Sequence, residues 1–228
     1  MNPLIGITTS FEDEQQRLDY TYVNAVQRAH GLPVLLPIIT SASEAEQFCN
    51  LIQGLIVPGG PGIMANSIGG FPTRLNPVSS KRWESDNFIL DAAKQQNLPI
   101  LGICYGMQLL CVRAGGSLVS DVEKQVEGAF AHSEKRGACN HPIEIVQNTY
   151  LAQIWDSNIR EVNSRHFQAV HDPGTGYMVS ARSSDGSVEA IERSDGIHIG
   201  VQFHPERMDA QFLFRNLIQQ ALEYNHVA

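Results

Sequence analysis

Short apolar runs rich in Ile, Val and Leu alternate with amphipathic segments along the first half of this chain. In order they read PLIGITT, TYVNAVQRAHG, LPVLLPI, SASEAEQFCNLIQ, GLIVPGG, RWESDNFILDAAKQQN and LPILGI. This rhythm constrains the fold most, because strands without a polar face must be covered on both sides, as in a parallel sheet between helix layers. The predicted architecture is α/β: a three-layer sandwich with a central, mostly parallel mixed sheet, in a single domain over residues 1–228. Gly31, Gly54 and the Asn97–Pro99 stretch stand where helices should stop and strands begin. Beyond Gly115 and Gly116 the segments HPIEIV, GYMVSARS, SVEAIER and HIGVQF alternate more, and read as antiparallel or mixed strands. In MDAQFLFRNLIQQALEYN, one helical stripe collects Phe212, Leu213, Leu217, Ile218, Ala221 and Leu222. Pro61 to Ser80, rich in Gly, Pro, Asn and Ser, is long for a loop in a compact domain, and such loops are usually functional or mobile.

Composition serves mainly to exclude. Hydrophobic residues at 43% and charged residues at 18% are ordinary globular values, unlike those of disordered, collagen-like or coiled-coil chains. The formal charge is −8 and no run of Lys or Arg offers a stripe for phosphates, so nucleic acid is not an expected partner. MNPLIGITTSF lacks the basic, apolar and cleavage regions of a secretion signal, and nowhere do ~18 apolar residues run unbroken, so a cytoplasmic location away from membranes is expected. Cys49, Cys104, Cys111 and Cys139 are too few and too scattered for a disulfide framework, and are expected as reduced thiols. Their spacing does not match structural zinc sites, so no metal is expected.

Four stretches carry chemistry. Gly102-Ile103-Cys104-Tyr105-Gly106 follows an apolar strand and opens a helix, the small-x-nucleophile-x-small form of a nucleophile elbow. Small neighbours allow the sharp turn, the nucleophile's backbone is often strained, and the first helical N–H groups point at the same spot. Gly200 to Glu206, GVQFHPE, ends an apolar strand in His204, Pro205 and Glu206; in extended chain His204 and Glu206 would share a side, a glutamate orienting a histidine. GLIVPGGPG, Gly54 to Gly62, runs a strand into a glycine-rich turn that is either a tight connection or a source of oxyanion-binding N–H groups at the strands' carboxyl edge. In VNSRHFQ, Ser164 and His166 have strand alternation and line either a site or a solvated edge. His30, His132, His141, His171, His198 and His226 show no partner pattern.

One hundred positions separate Cys104 from His204, and GICYGMQ together with GVQFHPE resembles the class I glutamine amidotransferase superfamily. YVNAVQRAHGLPVLLP, VNSRHFQAV and SARSSDGSVEAIE narrow the resemblance to its stand-alone gamma-glutamyl hydrolase branch, of the gamma-glutamyl-gamma-aminobutyrate hydrolase type, from Pro3 to about Phe214. The resemblance implies a flavodoxin-like sandwich with Cys104 as nucleophile, His204 as base and Glu206 as its orienting partner. It further implies oxyanion-hole amides from Gly60 and Tyr105 and substrate contacts from Gln108 and His166; Gly59 and Ser164 complete the expected substrate-binding set. Two positions depart from the branch: the glycine turn lacks the acidic residue of Gly-Gly-Gly-Asp, and Tyr105 stands where Arg is usual, giving the CYG of amidotransferases that make GMP. The expected activity is hydrolysis of a small-molecule gamma-glutamyl amide through a gamma-glutamyl thioester, with no cofactor, as a lone chain or homodimer. The alternatives are a glutaminase subunit delivering ammonia to a separate synthetase, and a catalytically silent binding module of the same fold.

Overall fold

The computed structural model describes residues 1–133, 137, 140–155 and 161–224, so Cys139 and His226 lie outside the described residues. In chain order the elements are β1 (Leu4–Ile7), β2 (Ser10–Glu12), β3 (Gln15–Arg17), α1 (Tyr20–Arg28), β4 (Leu32–Leu35), α2 (Ala42–Cys49), β5 (Gly54–Val57), β6 (Ser67–Ile68), α3 (Ser80–Gln95), β7 (Ile100–Ile103) and α4 (Tyr105–Arg113). They continue as β8 (Ser117–Val119), α5 (Val122–Gln125), β9 (His141–Ile145), α6 (Tyr150–Ile154), β10 (Glu161–Val162), β11 (Ala169–Asp172), β12 (Tyr177–Ser183), β13 (Val188–Arg193), β14 (His198–Val201), a 3₁₀ turn (Pro205–Arg207) and α7 (Gln211–Glu223). Two compact units share them: Met1–Pro58, Val78–Leu101 and Pro205–Ala228 form the first, Gly59–Pro77 and Gly102–His204 the second.

In the first unit the strands run in the order β7-β5-β1-β4, and β1 is parallel to both neighbours, with Ile5 opposite Gly54 and Pro33. Successive strand residues face opposite sides. A Cβ on Gly54 would stand 3.1 Å from Ile5 and 3.4 Å from Leu217, so α7 covers the Ile5 face, with α1 packed beside it. A Cβ on Gly6 would come 2.6 Å from Ile52, just after α2, so α2 and the α3 packed on it take the other face. These are the helix layers that the apolar strands required, and each fully buried Leu or Ile contributes ~1.5–3 kcal/mol.

Helix boundaries follow local chemistry. Asp19, Ser41 and Ser79 cap α1, α2 and α3 with side-chain acceptors, and Glu44 reaches back to the Thr40 N–H at 2.8 Å in a variant of the capping box. The left-handed residues after α1 and α3 are His30 (φ 67°) and Asn97 (φ 56°). Gly31 answers a different need, since a Cβ there would lie 2.4 Å from Ile218 of α7. The apolar stripe of α7 differs from expectation: Leu213, Phe214, Leu217, Ile218 and Ala221 are buried, whereas Leu222 is 54% exposed.

The second unit has the mixed texture expected of the later sequence. Its strands run β10-β9-β12-β13-β14 with every neighbouring pair antiparallel, and the Gly102–Ile103 part of β7 lies next to β14. β11 pairs antiparallel with β13 and β8, and β6 pairs parallel with β8. The long 61–80 stretch therefore contributes a strand. Gln168 holds it further, its side chain accepting from Ile63 N–H at 2.7 Å and donating to Ile63 O at 2.8 Å. Among the described residues no helix is long and apolar enough to cross a membrane.

Candidate active site

Cys104 lies between β7 and α4 with φ 52° and ψ −101°, a conformation in which an L residue is strained. Hydrogen bonds on both sides hold it there: its N–H donates to Val201 O at 2.7 Å, and its carbonyl accepts the Gln108 N–H at 3.1 Å. Gly102 is required by close approach, since a Cβ would fall 2.7 Å from the carbonyl carbon of Gly106 and 2.8 Å from its oxygen. The strain anticipated for an elbow is thus present at the cysteine itself.

Around the thiol runs a chain of buried amides. Gln202 Nε2 lies 3.5 Å from Cys104 Sγ, and Gln202 Oε1 accepts from Gln108 Nε2 at 3.1 Å. Gln108 Nε2 also donates to Gln168 O at 3.0 Å, and all three glutamines are buried. Gln108 was expected to meet substrate; its amide nitrogen is engaged within the protein, two links from the sulfur. Sequence reasoning did not single out Gln202 or Gln168, although Gln202 stands two residues before His204 and Gln168 two after His166. Burial pushes the Cys49 and Cys111 thiols up to about 12, with Asp172 adding to the rise at Cys111.

His204 is half-buried, and its peptide is clamped from both sides by Asn163. The His204 N–H donates to Asn163 Oδ1 at 2.8 Å, and Asn163 Nδ2 donates to His204 O at 2.9 Å. The Glu206 side chain is fully buried, with Oε1 3.6 Å from Arg207 Nε. Arg207 also pairs with Asp19, the cap of α1. The strand ends at Val201 and Glu206 belongs to the 3₁₀ turn, so the alternation used to set His204 and Glu206 on one side does not apply; Pro205 turns the chain instead. Tyr105 opens α4, and Gly59 and Gly60 begin the Gly59–Pro77 segment of the second unit.

Ser164 and His166 are both buried. Ser164 Oγ lies 2.9 Å from His132 Nδ1 and donates to His132 O at 3.0 Å. His166 Nδ1 meets Gln168 O at 3.0 Å, and Nε2 lies 3.5 Å from Glu189 Oε1. Burial pulls His166 down to about 4 against the Gln168 carbonyl, and nearby His204 acts in the same direction, so its imidazole is neutral at pH 7. Both residues thus belong to a histidine cluster that sequence spacing did not reveal.

The arrangement offers a strained thiol-bearing turn with an amide donor at the sulfur and a backbone-clamped histidine two residues beyond that donor. Comparison with known proteins identifies the family and the fold. Protein NtpR of Enterococcus hirae is 36% identical over 214 residues, covering 90% of this chain and 88% of the relative. Gamma-glutamyl-gamma-aminobutyrate hydrolase PuuD of Escherichia coli is 29% identical over 232 residues, covering 95% and 91%. The glutaminase domain of Trypanosoma brucei CTPS, solved with acivicin bound, has the same fold, with a TM-score of 0.67 at 17% identity over 99% of this chain and 96% of that one. The family model described as Peptidase C26 matches residues 3–206, and the chain belongs to that family.

Proposed function

We propose that this chain is a cysteine-dependent hydrolase of a gamma-glutamyl amide bond, acting in the cytoplasm as one domain over residues 1–228. The carrying observation is Cys104 in its strained turn, with Gln202 Nε2 at 3.5 Å from its sulfur. Family membership and the name of the Escherichia coli relative support the choice of bond.

The Cys104 thiolate attacks the gamma carbonyl, and the developing oxyanion is held by the Gly60 and Tyr105 N–H groups, each worth ~3 kcal/mol of transition-state stabilisation. The C–N bond breaks as His204 gives its proton to the departing amine, leaving a gamma-glutamyl thioester. Water, deprotonated by His204, attacks the thioester; the thiolate leaves and glutamate is released. Glu206 orients His204. Gly59, Ser164 and His166 shape the region that receives the gamma-glutamyl group, and Gln108 acts through Gln202. No step requires a cofactor, and the chain works alone or as a homodimer.

The Cys-Tyr-Gly sequence and the fold shared with a glutaminase domain favour a second reading, ammonia delivery to a separate synthetase. Glutamate release from gamma-glutamyl amines, gamma-glutamyl peptides and free glutamine, with Cys104→Ala as control, separates the two. Partner-free turnover of gamma-glutamyl amines with poor use of glutamine is the expected result. Preference for glutamine would favour the amidotransferase reading, and equal inactivity of wild type and Cys104→Ala on every compound would leave a silent binding module.

A further inference from the structure

We propose that the second unit carries a site for a divalent first-row transition metal, zinc fitting best, built from His132, His141, His166 and Glu189. All four side chains are buried, and one ligand atom from each lies within 4.8 Å of the others. From Glu189 Oε1 the separations are 3.5 Å to His141 Nε2, 3.5 Å to His166 Nε2 and 3.9 Å to His132 Nδ1. In a tetrahedral site with bonds of ~2.0–2.2 Å, ligand atoms stand ~3.3–3.6 Å apart. Two of these three distances already match, and the third needs a shift of a few tenths of an ångström. The widest spread among the four atoms, up to 4.8 Å, closes by roughly 1 Å when the imidazoles draw onto an ion.

The outer hydrogen bonds aim the lone pairs inward. His141 Nδ1 meets Pro142 O at 3.2 Å and His166 Nδ1 meets Gln168 O at 3.0 Å; a carbonyl only accepts, so each Nδ1 carries the proton and each Nε2 is left as an acceptor. His132 is turned the other way, with Nε2 2.7 Å from the Asp185 carboxylate and Nδ1 facing the cluster. Ser164 Oγ, 2.9 Å from that Nδ1, also donates to His132 O, so it keeps a partner when Nδ1 binds an ion. A carboxylate or carbonyl behind each ligating imidazole is the usual outer layer of a metal site.

Of the four interior groups, the described residues give a hydrogen-bond partner only to His132 Nδ1, through Ser164 Oγ. Both Glu189 oxygens, His141 Nε2 and His166 Nε2 are buried without a hydrogen-bond partner. A carboxylate facing imidazole lone pairs is a set of acceptors without a donor, which is strongly unfavourable in a buried place. One proton on Glu189 serves one contact, and one water supplies two hydrogens; a divalent cation satisfies all four groups at once. Three imidazoles and one carboxylate suit zinc and its neighbours, whereas calcium and magnesium prefer oxygen ligands throughout.

The ion would tie together the segment before β9, β9 itself, the 163–168 connection and β13. Asn163, at the start of that connection, is the residue that clamps the His204 peptide. Metal binding therefore stiffens the support of His204 while taking no part in the hydrolytic steps.

The test uses the tag-free chain, stripped with a chelator and titrated with Zn²⁺ against a chromophoric competitor, together with Co²⁺ substitution. One zinc per chain, a thermal midpoint raised by zinc and the intense visible absorption of four-coordinate Co²⁺ are expected. Glu189→Gln and His141→Ala should each weaken binding by more than ~100-fold, and Asp185→Asn by ~10–100-fold. If a variant fails to fold, the wild-type stoichiometry and Co²⁺ spectrum decide. Absence of stoichiometric zinc from the re-equilibrated wild type, a six-coordinate Co²⁺ spectrum, or folded variants that bind as wild type would each overturn the site.

Discussion

Strain at Cys104 can be measured as stability by comparing Cys104→Ala with Cys104→Gly. At φ 52° and ψ −101° alanine keeps the unfavourable backbone, whereas glycine adopts it freely. Holding a non-glycine residue there costs roughly 1–3 kcal/mol. Against that relief stand the greater freedom of glycine in the unfolded chain, roughly 0.4–1 kcal/mol, and one buried methyl, roughly 0.8 kcal/mol. With a mid-range strain of about 2 kcal/mol, the glycine variant should equal the alanine variant or exceed it by about 0.5 kcal/mol. Ala25→Gly in α1 is the control, a buried helical position where both terms oppose glycine, for a loss of roughly 1.8 kcal/mol. The gap between the two Ala-to-Gly steps is therefore about 2 kcal/mol, or ~4–8 °C in thermal midpoint for a chain of this size. Urea denaturation at constant m reads it directly. If Cys104→Gly falls below Cys104→Ala by as much as Ala25→Gly falls below wild type, the turn is not strained.

Thiol alkylation should be selective. With Cys49 and Cys111 pushed up to about 12, their thiolate fraction at pH 8 is only ~10⁻⁴, rising about tenfold per pH unit, so peptide mapping should find Cys104 modified while those two stay unreacted. Rapid labelling of Cys111 in folded protein would contradict this. Arg82 is buried, paired with Asp86 at 3.1 Å, and donates to Ser10 Oγ at 2.9 Å and Pro58 O at 3.2 Å. Asp86→Ala removes the buried carboxylate beside that charge and should lower unfolding free energy by roughly 3–5 kcal/mol in urea; a loss under 1 kcal/mol would show that the remaining acceptors compensate the guanidinium. Asn163→Ala removes both bonds to the His204 peptide, and should reduce kcat by ~10–100-fold with little change in KM. An unchanged kcat would mean that His204 is held by other contacts.

The first unit was legible because its strands are almost wholly apolar, and such runs fit only beneath helices on both faces. Cys104 was legible for a related reason, since the glycines of Gly-Ile-Cys-Tyr-Gly report a backbone approach, seen at Gly102 against Gly106. What escaped reading depends on distant partners. Gly31 does stand where α1 stops and β4 begins, but the room it makes for Ile218 was not legible, and Leu222 looked buried because a helical stripe does not reveal which way the face turns. Glu206 was assigned to extended chain, yet Pro205 opens a 3₁₀ turn. The histidine cluster was least legible of all: His132, His141, His166 and Glu189 come from four segments with no short spacing, and only the antiparallel pairing of the second unit gathers them.

The central claim is that bond cleavage passes through sulfur. Acid quenching during turnover of a gamma-glutamyl amide, followed by peptide mapping, should find the mass of one gamma-glutamyl group on the Cys104 peptide, labile to hydroxylamine as a thioester is. Its disappearance in Cys104→Ala, together with loss of glutamate release, is the predicted result. Glutamate release that persists in Cys104→Ala, or a gamma-glutamyl group on any other residue, would contradict the account.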